Sequence, residues 1–226
     1  MRVALFGGSF DPPHRGHVAL ARLARERLAL DRVLVAPVAT QPLKQGTAQA
    51  GFADRVAMTR LAFAGEPAAE VSLLDAPHPN NTRPNYTIDT LSALRRQLDP
   101  ADTLFCILGA DSLLTIGKWY RSADLLTTCD FIVGARPGFD LNQAAAAGLP
   151  GGTSATPVPT DLPHTQVLNL AAQTGGQSRL YLLLDLAEDI SATQIRAALA
   201  GDSETRNVLN PAVIEYIRVH RLYSHL

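Results

Sequence analysis

The clearest chemical signal in the sequence is a pair of histidines, His14 and His17, which enclose Arg15 and Gly16. Residues three apart project side by side on a helix, and the free amides and dipole of a helix start attract anions. Two imidazole donors on that turn can bind neighbouring phosphate oxygens, and Gly16 leaves space for a nucleotide. Two histidines near a helix start can also be ordinary surface residues. The glycines and prolines before this pair favour a phosphate site.

The residues around the pair predict a strand, a turn and a helix. The apolar run from Val3 to Phe6 predicts the strand, and Gly7 and Gly8 after it let a ligand approach the main chain. Two prolines then remove amide donors and stiffen the turn, so the helix should begin near His14. The apolar face that carries this helix to about residue 30 is formed by Leu20, Leu23, Ala24 and Leu28.

Polar residues follow two further predicted strands. The run 103–108 leads directly into Gly109-Ala110-Asp111, and the run 131–134 is soon followed by Arg136. Ligands of open parallel sheets gather at the carboxyl ends of the strands, so both side chains are candidates for substrate contact. Asp111 can accept hydrogen bonds from ribose hydroxyls, or it can simply cap the helix that follows.

Four other side chains have both a structural and a functional interpretation. Thr87 either caps the helix that follows it or supplies a hydroxyl to an anion. Trp119, the only tryptophan, is followed by Tyr120, and its indole either packs in the core or stacks on a flat ring of a ligand. Lys44, in the polar loop 38–51, is either solvated or a ligand of an acceptor phosphate, and its residue type alone favours solvation.

A second motif, Ile-Ser-Ala-Thr-Gln-Ile-Arg, stands at 190–196. Ser191 and Gln194 form the pattern of a capping box, which predicts a helix start. Thr193 and Arg196 lie three apart on the first turns of that helix, where an anion is favoured. The structural and functional interpretations agree at this motif.

The alternation of strands and helices predicts an α/β fold with a Rossmann-like, doubly wound parallel sheet. A length of 226 residues fits one domain, 1–226, with a small helical part at 191–226. The stretch 137–165, rich in Ala, Gly and Pro, is predicted to be a variable connection that holds at most a short helix near 141–147. Other predicted elements are strands at 32–37, 71–74, 166–170 and 180–184, a helix at 53–64, and a last helix that Asn210 caps.

The composition argues against several classes of protein. A net charge of -1 is unlike that of a protein that coats nucleic acid. Cys106 and Cys129 lack metal-site spacing, so both are predicted to be buried packing residues in a reducing compartment. No apolar run approaches the ~20 residues of a membrane span, and the start of the chain lacks a signal-peptide pattern. We expect a cytoplasmic protein without nucleic-acid or membrane partners, and the sequence makes no prediction of oligomeric state.

Three stretches together resemble the bacterial nicotinate mononucleotide adenylyltransferases of the nucleotidyltransferase superfamily. They are Gly-Gly-Ser-Phe-Asp-Pro-Pro-His-Arg-Gly-His at 7–17, Gly-Ala-Asp-Ser-Leu-Leu at 109–114 with Trp119-Tyr120, and the motif at 190–196. The His-x-Gly-His tetrad marks only the superfamily, whereas the other two stretches narrow the resemblance to this family. Their order and spacing match over nearly the whole chain, and the closing segment 216–223 is also similar.

This resemblance implies two substrate sites. The ATP-binding residues that it implies are Gly8, Ser9 and Phe10 through the main chain, and His14, His17, Gly109, Asp111, Ser191, Thr193 and Arg196. The acceptor-binding residues that it implies are Lys44, Thr87, Trp119, Tyr120 and Arg136. The implied catalytic residues are His14, His17 and Arg196, which bind the ATP phosphates.

The reaction implied by the resemblance transfers the adenylyl group of ATP, carried with Mg²⁺, to nicotinate mononucleotide. Its products are deamido-NAD and pyrophosphate, and the reaction is a step of NAD biosynthesis. One departure is the loop 41–44, Gln-Pro-Leu-Lys, where the family usually has a histidine before the basic residue. Two alternatives stay open: another phosphorylated acceptor, such as nicotinamide mononucleotide or phosphopantetheine, and a non-catalytic nucleotide-binding protein. A synthetase fragment fits least, since no Lys-Met-Ser-Lys-Ser loop is present.

Overall fold

Eight strands form one sheet flanked by helices in the part of the chain that the structure, a computed structural model, describes. The described residues are 1–40, 42, 48–79, 83–134, 149–150, 152–173, 175–186, 192–200 and 207–223. The strands are β1 (Arg2–Gly8), β2 (Arg32–Pro37), β3 (Ala69–Val71), β4 (Thr103–Gly109), β5 (Asp130–Gly134), β6 (Ser154–Val158), β7 (Thr165–Ala171) and β8 (Gln177–Leu183). The helices are α1 (Arg15–Leu28), α2 (Phe52–Phe63), α3 (Thr87–Arg95), α4 (Ala110–Thr115), α5 (Ser122–Leu125), α6 (Ala192–Ala200) and α7 (Pro211–Val219).

The strand order places β1 near the centre of the sheet. The order is β3-β2-β1-β4-β5-β8-β7-β6, and neighbouring strands from β3 to β8 run parallel. The order reverses between β1 and β4, which lie side by side with Phe6 opposite Ile107. Open α/β sheets bind their ligands in the crevice at the carboxyl ends of two strands that diverge in this way. The loop that follows Gly8 and the start of α4, directly after Gly109, lie at that crevice.

Helices cover both faces of the central strands, so their side chains are buried on each side. In β1, Val3 and Leu5 belong to one core and Ala4 and Phe6 to the other, and all four are at most 3 % exposed. Residues of α1, α2, α6 and α7 pack on the Phe6 face, whereas residues of α3, α4 and α5 pack on the Leu5 face. This double burial explains why β1 is a continuous apolar run in the sequence.

The predicted α/β fold is confirmed, and α1 and α2 begin and end within two residues of their predicted bounds. α7 opens on Asn210, whose side-chain oxygen accepts a hydrogen bond from the Ala212 amide at 2.9 Å, as the capping pattern predicts. Both cysteines are buried and unpaired, and burial raises the pKa of the Cys106 thiol to about 12. None of the helices in the described ranges has both the length and the apolar character needed to cross a membrane.

Two strand predictions are wrong, and the sheet is mixed at one edge. β3 occupies Ala69–Val71 instead of 71–74, and β6 lies inside the stretch predicted to be a variable connection. Among the described strands, β6 pairs only with β7; it places Pro157 opposite Leu168 and is mostly exposed. An edge strand tolerates proline because its outer amide needs no partner, so β6 lacks the usual signals of a strand. β7 runs antiparallel to β8, and the predicted short helix near 141–147 lies outside the described residues.

Candidate active site at the carboxyl ends of β1 and β4

The two histidines of the first motif lie against each other at the start of α1. Their ring centroids are 3.7 Å apart, and the backbone amide of His14 donates a hydrogen bond to Nδ1 of His17 at 3.2 Å. Because Nδ1 accepts, the neutral His17 ring carries its proton on Nε2 and can donate from that nitrogen. The structure thus places an imidazole donor at a helix N-terminus, where anions are favoured.

Phe10 holds the turn between β1 and α1. Its side chain is 1 % exposed and packs against Phe6, Phe63 and His17, with the Phe10 and His17 ring centroids 4.9 Å apart. Its backbone lies in the left-handed region, at φ 48°, which is uncommon for an aromatic residue. A Cβ on Gly8 would lie 3.1 Å from the Phe10 ring, so this close approach favours glycine. Any contact between Phe10 and ATP is therefore left to its main chain.

The final motif reaches the first one through Arg196. Its guanidinium Nη1 donates to the backbone carbonyl of Asp11 at 2.7 Å, and its Nη2 donates to Oγ1 of Thr193 at 3.2 Å. Thr193 and Arg196 therefore lie side by side, and Arg196 contacts the loop that precedes His14. The two motifs meet although Asp11 and Arg196 are 185 residues apart in the sequence. A guanidinium, a hydroxyl and an imidazole can all donate to phosphate oxygens, so this group has the donors that a triphosphate needs.

Asp11 belongs to this site although the sequence reasoning did not single it out. Its buried carboxylate accepts hydrogen bonds from the amides of Gln49 (2.8 Å) and Ala50 (3.1 Å) and from the Tyr223 hydroxyl (2.7 Å). These bonds join the loop after β1 to the segment before α2 and to the segment after α7. Its position inside the first motif could have suggested a role for Asp11 in the site. Nothing in the sequence identifies its hydrogen-bond partners.

Arg55 is a second residue that the sequence reasoning missed. It lies buried in the first turn of α2 and donates to the carbonyl oxygens of Ser9 (2.7 Å), Val38 (2.8 Å) and Ala50 (3.2 Å). It therefore ties the turn after β1 to the loop after β2. Burial lowers the pKa of the Arg55 guanidinium while the Asp11 carboxylate acts in the opposite direction, and the group stays charged. The sequence points to Arg55 only by placing a charged residue in a mostly apolar helix.

Three of the predicted acceptor residues, Thr87, Trp119 and Tyr120, lie at the start of α3 and after α4, on the face of the sheet opposite to α1. Tyr86 and the exposed Tyr120 pack ring against ring with centroids 4.3 Å apart, which joins the two stretches that carry Thr87 and Trp119. Trp119 is half-buried and packs against the core. The alternative that Thr87 caps α3 is wrong, because Tyr86 holds the extended cap position and Thr87 is already helical.

The end of β4 leaves space beside the crevice. Gly109 holds the N-cap position of α4, and a Cβ on it would have no atom within 4 Å. Asp111 is exposed in the first turn of α4, so the alternative that it caps this helix is wrong. A carboxylate in this place can accept hydrogen bonds from sugar hydroxyls.

A second buried carboxyl group, Asp75, lies beside the end of β1 and was also missed. It accepts a hydrogen bond from the Thr90 hydroxyl, and its Oδ2 would lie 3.7 Å from a Cβ on Gly7. Burial raises the pKa of Asp75 to about 6, against the opposing effects of the Thr90 bond and of His78. This carboxyl group therefore titrates near neutral pH at the edge of the site.

Three predicted site residues, Lys44, Arg136 and Ser191, lie outside the described residues, so their roles stay predictions. Within the residues that the structure describes, no three His, Cys, Asp or Glu side chains lie close enough together to hold a metal ion.

The fold and the site together define an α/β nucleotidyltransferase. The first strand of a doubly wound sheet ends in a His-x-Gly-His helix start at the point where the strand order reverses, and a second motif brings an arginine to it. A family model described as cytidylyltransferase-like matches residues 5–198. The chain belongs to this family.

Three relatives that match almost the whole chain carry the name "Probable nicotinate-nucleotide adenylyltransferase". The one from Laribacter hongkongensis is 40% identical over 222 residues, which are 98% of this chain and 94% of the relative. The one from Pelobacter propionicus is 36% identical over 227 residues, which cover 99% of this chain and 99% of the relative. The one from Gloeobacter violaceus is 38% identical over 225 residues, which cover 99% of this chain and 96% of the relative.

A solved structure supports the fold independently. Plasmodium falciparum nicotinic acid mononucleotide adenylyltransferase, complexed with NaAD, superposes with a TM-score of 0.72. The alignment covers 100% of this chain and 98% of that one, at 18% sequence identity. At 18% sequence identity, this similarity shows that the two proteins share a fold.

Proposed function

We propose that this protein transfers the adenylyl group of ATP to nicotinate mononucleotide and releases nicotinate adenine dinucleotide and pyrophosphate, a step of NAD biosynthesis. The observation that carries the proposal is the convergence of four side chains at the carboxyl end of β1: His14, His17, Thr193 and Arg196. These donors come from two distant motifs and meet where a doubly wound sheet binds nucleotides. The relatives named above, similar over nearly their whole length, support the same activity.

In this proposal ATP lies across the start of α1 and the end of β4. The side chains that bind its triphosphate in this proposal are His14, His17, Thr193 and Arg196, and Ser191 is assigned a supporting role. Asp111 accepts hydrogen bonds from the ribose, next to the space that Gly109 leaves. The main chain of Gly8, Ser9 and Phe10 lines the same site.

Nicotinate mononucleotide lies on the side of α3. The Trp119 indole stacks on the pyridine ring, which an aromatic face suits, and the Tyr120 ring forms a neighbouring wall through its packing on Tyr86. Thr87 and the free amides of the first turn of α3 donate to the nicotinate carboxylate. The acceptor phosphate is assigned to Lys44 and Arg136.

The chemical step is an in-line attack of a phosphate oxygen of nicotinate mononucleotide on the α-phosphorus of ATP. A new P–O bond forms as the bond from the α-phosphorus to the bridging oxygen breaks, and pyrophosphate leaves with the electron pair. The attacking phosphate is already anionic at neutral pH, so no general base is needed. Positioning and charge stabilisation by the donors of the site supply the catalysis.

His17 has the most direct part in this step. Its Nε2–H donates to the phosphate oxygens where negative charge builds as pyrophosphate departs, because its Nδ1 is occupied by the His14 amide. A hydrogen bond to a charged group is worth about 1.5 to 3 kcal/mol and strengthens as the charge grows. Arg196 acts on the same charge from the side of α6.

ATP enters as its magnesium complex, so the metal ion arrives with the substrate. Bound to ATP, Mg²⁺ would neutralise part of the charge of the phosphates. Removal of Mg²⁺ with a chelator is expected to abolish pyrophosphate release. We place the reaction in the cytoplasm, where ATP is available and unpaired cysteines stay reduced.

The test is pyrophosphate release from ATP and Mg²⁺ with nicotinate mononucleotide and nicotinamide mononucleotide offered in parallel at equal concentration. Faster release with the nicotinate form is the expected result. Release only with the amide form would keep the reaction and overturn the proposed acceptor. No release above the level without acceptor would overturn the proposed function.

A further inference from the structure

The segment after α7 contains a buried tyrosine, Tyr223, that no proposed substrate contact explains. Tyr223 is 8 % exposed, and its hydroxyl donates to Oδ1 of Asp11 at 2.7 Å. Its ring packs in the core that α1, α2 and α7 share. Burial and the Asp11 carboxylate raise the pKa of the Tyr223 hydroxyl well above its ordinary value, so the group stays protonated. A carboxylate only accepts, so this hydroxyl is a fixed donor.

Asp11 links this tyrosine to a proposed phosphate ligand. Its carboxylate is held by Tyr223 and by the amides of Gln49 and Ala50, and its backbone carbonyl accepts the Nη1 hydrogen of Arg196. A carboxylate bound by three donors restrains the whole residue, including that carbonyl. The position of the Arg196 guanidinium therefore depends on bonds made on the other side of Asp11.

We infer that Tyr223 is a positioning residue for ATP: by holding Asp11, it orients the guanidinium of Arg196 for the triphosphate. The inference rests on the proposed function, in which Arg196 binds ATP. A donor that is already oriented binds an anion better than one that must be ordered on each binding event. Tyr223 acts through Asp11 and not by contact with the substrate.

Tyr223→Phe tests this inference because it removes the hydroxyl and keeps the buried ring. It is expected to weaken MgATP binding about three- to tenfold, the effect of one lost hydrogen bond, and to change the KM for nicotinate mononucleotide less than about twofold. Tyr216→Phe is the matched control, since the Tyr216 hydroxyl donates to Asp54 of α2 at 3.0 Å instead of Asp11. It is expected to leave both quantities within about twofold.

A double-mutant cycle with Arg196→Ala separates positioning from a general loss of stability. If Tyr223 acts through Arg196, Tyr223→Phe will change ATP affinity less than about twofold once the guanidinium is absent. Equal effects in both backgrounds would overturn the inference, as would unchanged ATP affinity in Tyr223→Phe alone. Should Tyr223→Phe not fold, Asp11→Asn is the second variant. It keeps the side-chain size but removes the charge that the three donors share, and it should show the same dependence on Arg196.

ATP affinity is chosen as the readout because it does not require turnover. A wild-type protein that binds MgATP but releases no pyrophosphate with nicotinate mononucleotide would overturn the proposed function, and the cycle would still decide the role of Tyr223. A wild-type protein that binds no MgATP would overturn both.

Discussion

Burial of a single carboxyl group, that of Asp75, gives this protein a predictable pH dependence of stability. Its pKa rises from an ordinary value of 3.8 to about 6, so the folded protein holds this proton more tightly than the unfolded chain does. The contribution of Asp75 to stability is therefore present below about pH 4 and is lost as pH rises through about 6. Asp75→Asn has no titrating group at this position and so does not lose this stability as pH rises. The difference in free energy of unfolding between Asp75→Asn and the wild type should therefore increase by about 1 to 1.5 kcal/mol, in favour of the variant, between about pH 5 and about pH 8.

Urea unfolding of both proteins at the two pH values measures this difference, because the carboxyl groups that they share cancel. Thr90→Val is the control with the opposite sign. It nearly keeps the side-chain volume but removes the donor that favours the charged form of Asp75, so stability should fall more steeply as pH rises. A constant difference between wild type and Asp75→Asn would contradict the raised pKa.

The proposed role of His17 predicts a loss of turnover and not of folding. His17→Ala removes the Nε2–H donor and is expected to lower the turnover of pyrophosphate release by about tenfold to a hundredfold, the effect of one hydrogen bond to a developing charge. His220→Ala is the control, because His220 is exposed and stacks on Tyr216 with centroids 4.0 Å apart. Turnover near that of the wild type in His17→Ala would remove this residue from the mechanism.

Two glycines at the ends of neighbouring strands differ in what surrounds them, so one is needed for core packing and the other for the proposed substrate site. Gly109 of β4 and Gly134 of β5 are in register, but a Cβ on Gly134 would lie 2.6 Å from Leu20 and 2.9 Å from Leu186, whereas one on Gly109 would meet nothing within 4 Å. Gly134→Ala should therefore cost about 1 to 2 kcal/mol of stability, the lower part of the overpacking range because leucine methyl groups can move.

Gly109→Ala is the matched variant, and its effect should fall on substrate binding. Its free energy of unfolding should stay within about 0.5 kcal/mol of the wild type, while the KM for ATP rises several-fold because the methyl group enters the proposed ribose site. Urea unfolding and the KM for ATP, measured on both variants, check the pair. An unchanged KM in Gly109→Ala would place the ribose elsewhere.

Elements with strong local signals were predictable, and elements held by distant partners were not. Apolar spacing and the two prolines were enough for α1, and Asn210 before a proline was enough for the start of α7. β6 carries a proline and exposed side chains, so only its pairing with β7 makes it a strand.

The same difference applies to the site. The motif histidines and Arg196 are recognisable by type and spacing. Asp11 and Tyr223 are not, because their roles come from contacts between residues 38 to 212 positions apart. Arg55, whose partners are backbone carbonyls of two separate loops, is a further case. Local sequence patterns hold no information on such partners.

The whole molecule is built so that the beginning and the end of the described chain meet at one site. Asp11 bonds to Arg196 and Tyr223, and the amide of Arg15 donates to the Val208 carbonyl at 2.9 Å. The strands between them extend the sheet away from this meeting point, with the β6–β7 hairpin at the far edge. Ligand binding at the carboxyl end of β1 should therefore stabilise segments near both ends of the described sequence.

Hydrogen exchange measured by mass spectrometry with and without MgATP tests this coupling. A ligand that binds only the folded state slows the opening of the segments that contact it. We expect MgATP to slow amide exchange in peptides covering 8–17 and 192–200 to a similar degree, because Arg196, the proposed triphosphate ligand, donates a hydrogen bond to the Asp11 carbonyl and so joins the two segments. The hairpin 154–171 is the internal control, since β4, β5 and β8 separate it from β1 in the sheet and its amides should exchange unchanged. Protection of 8–17 alone would mean that α6 does not take part in the ATP site.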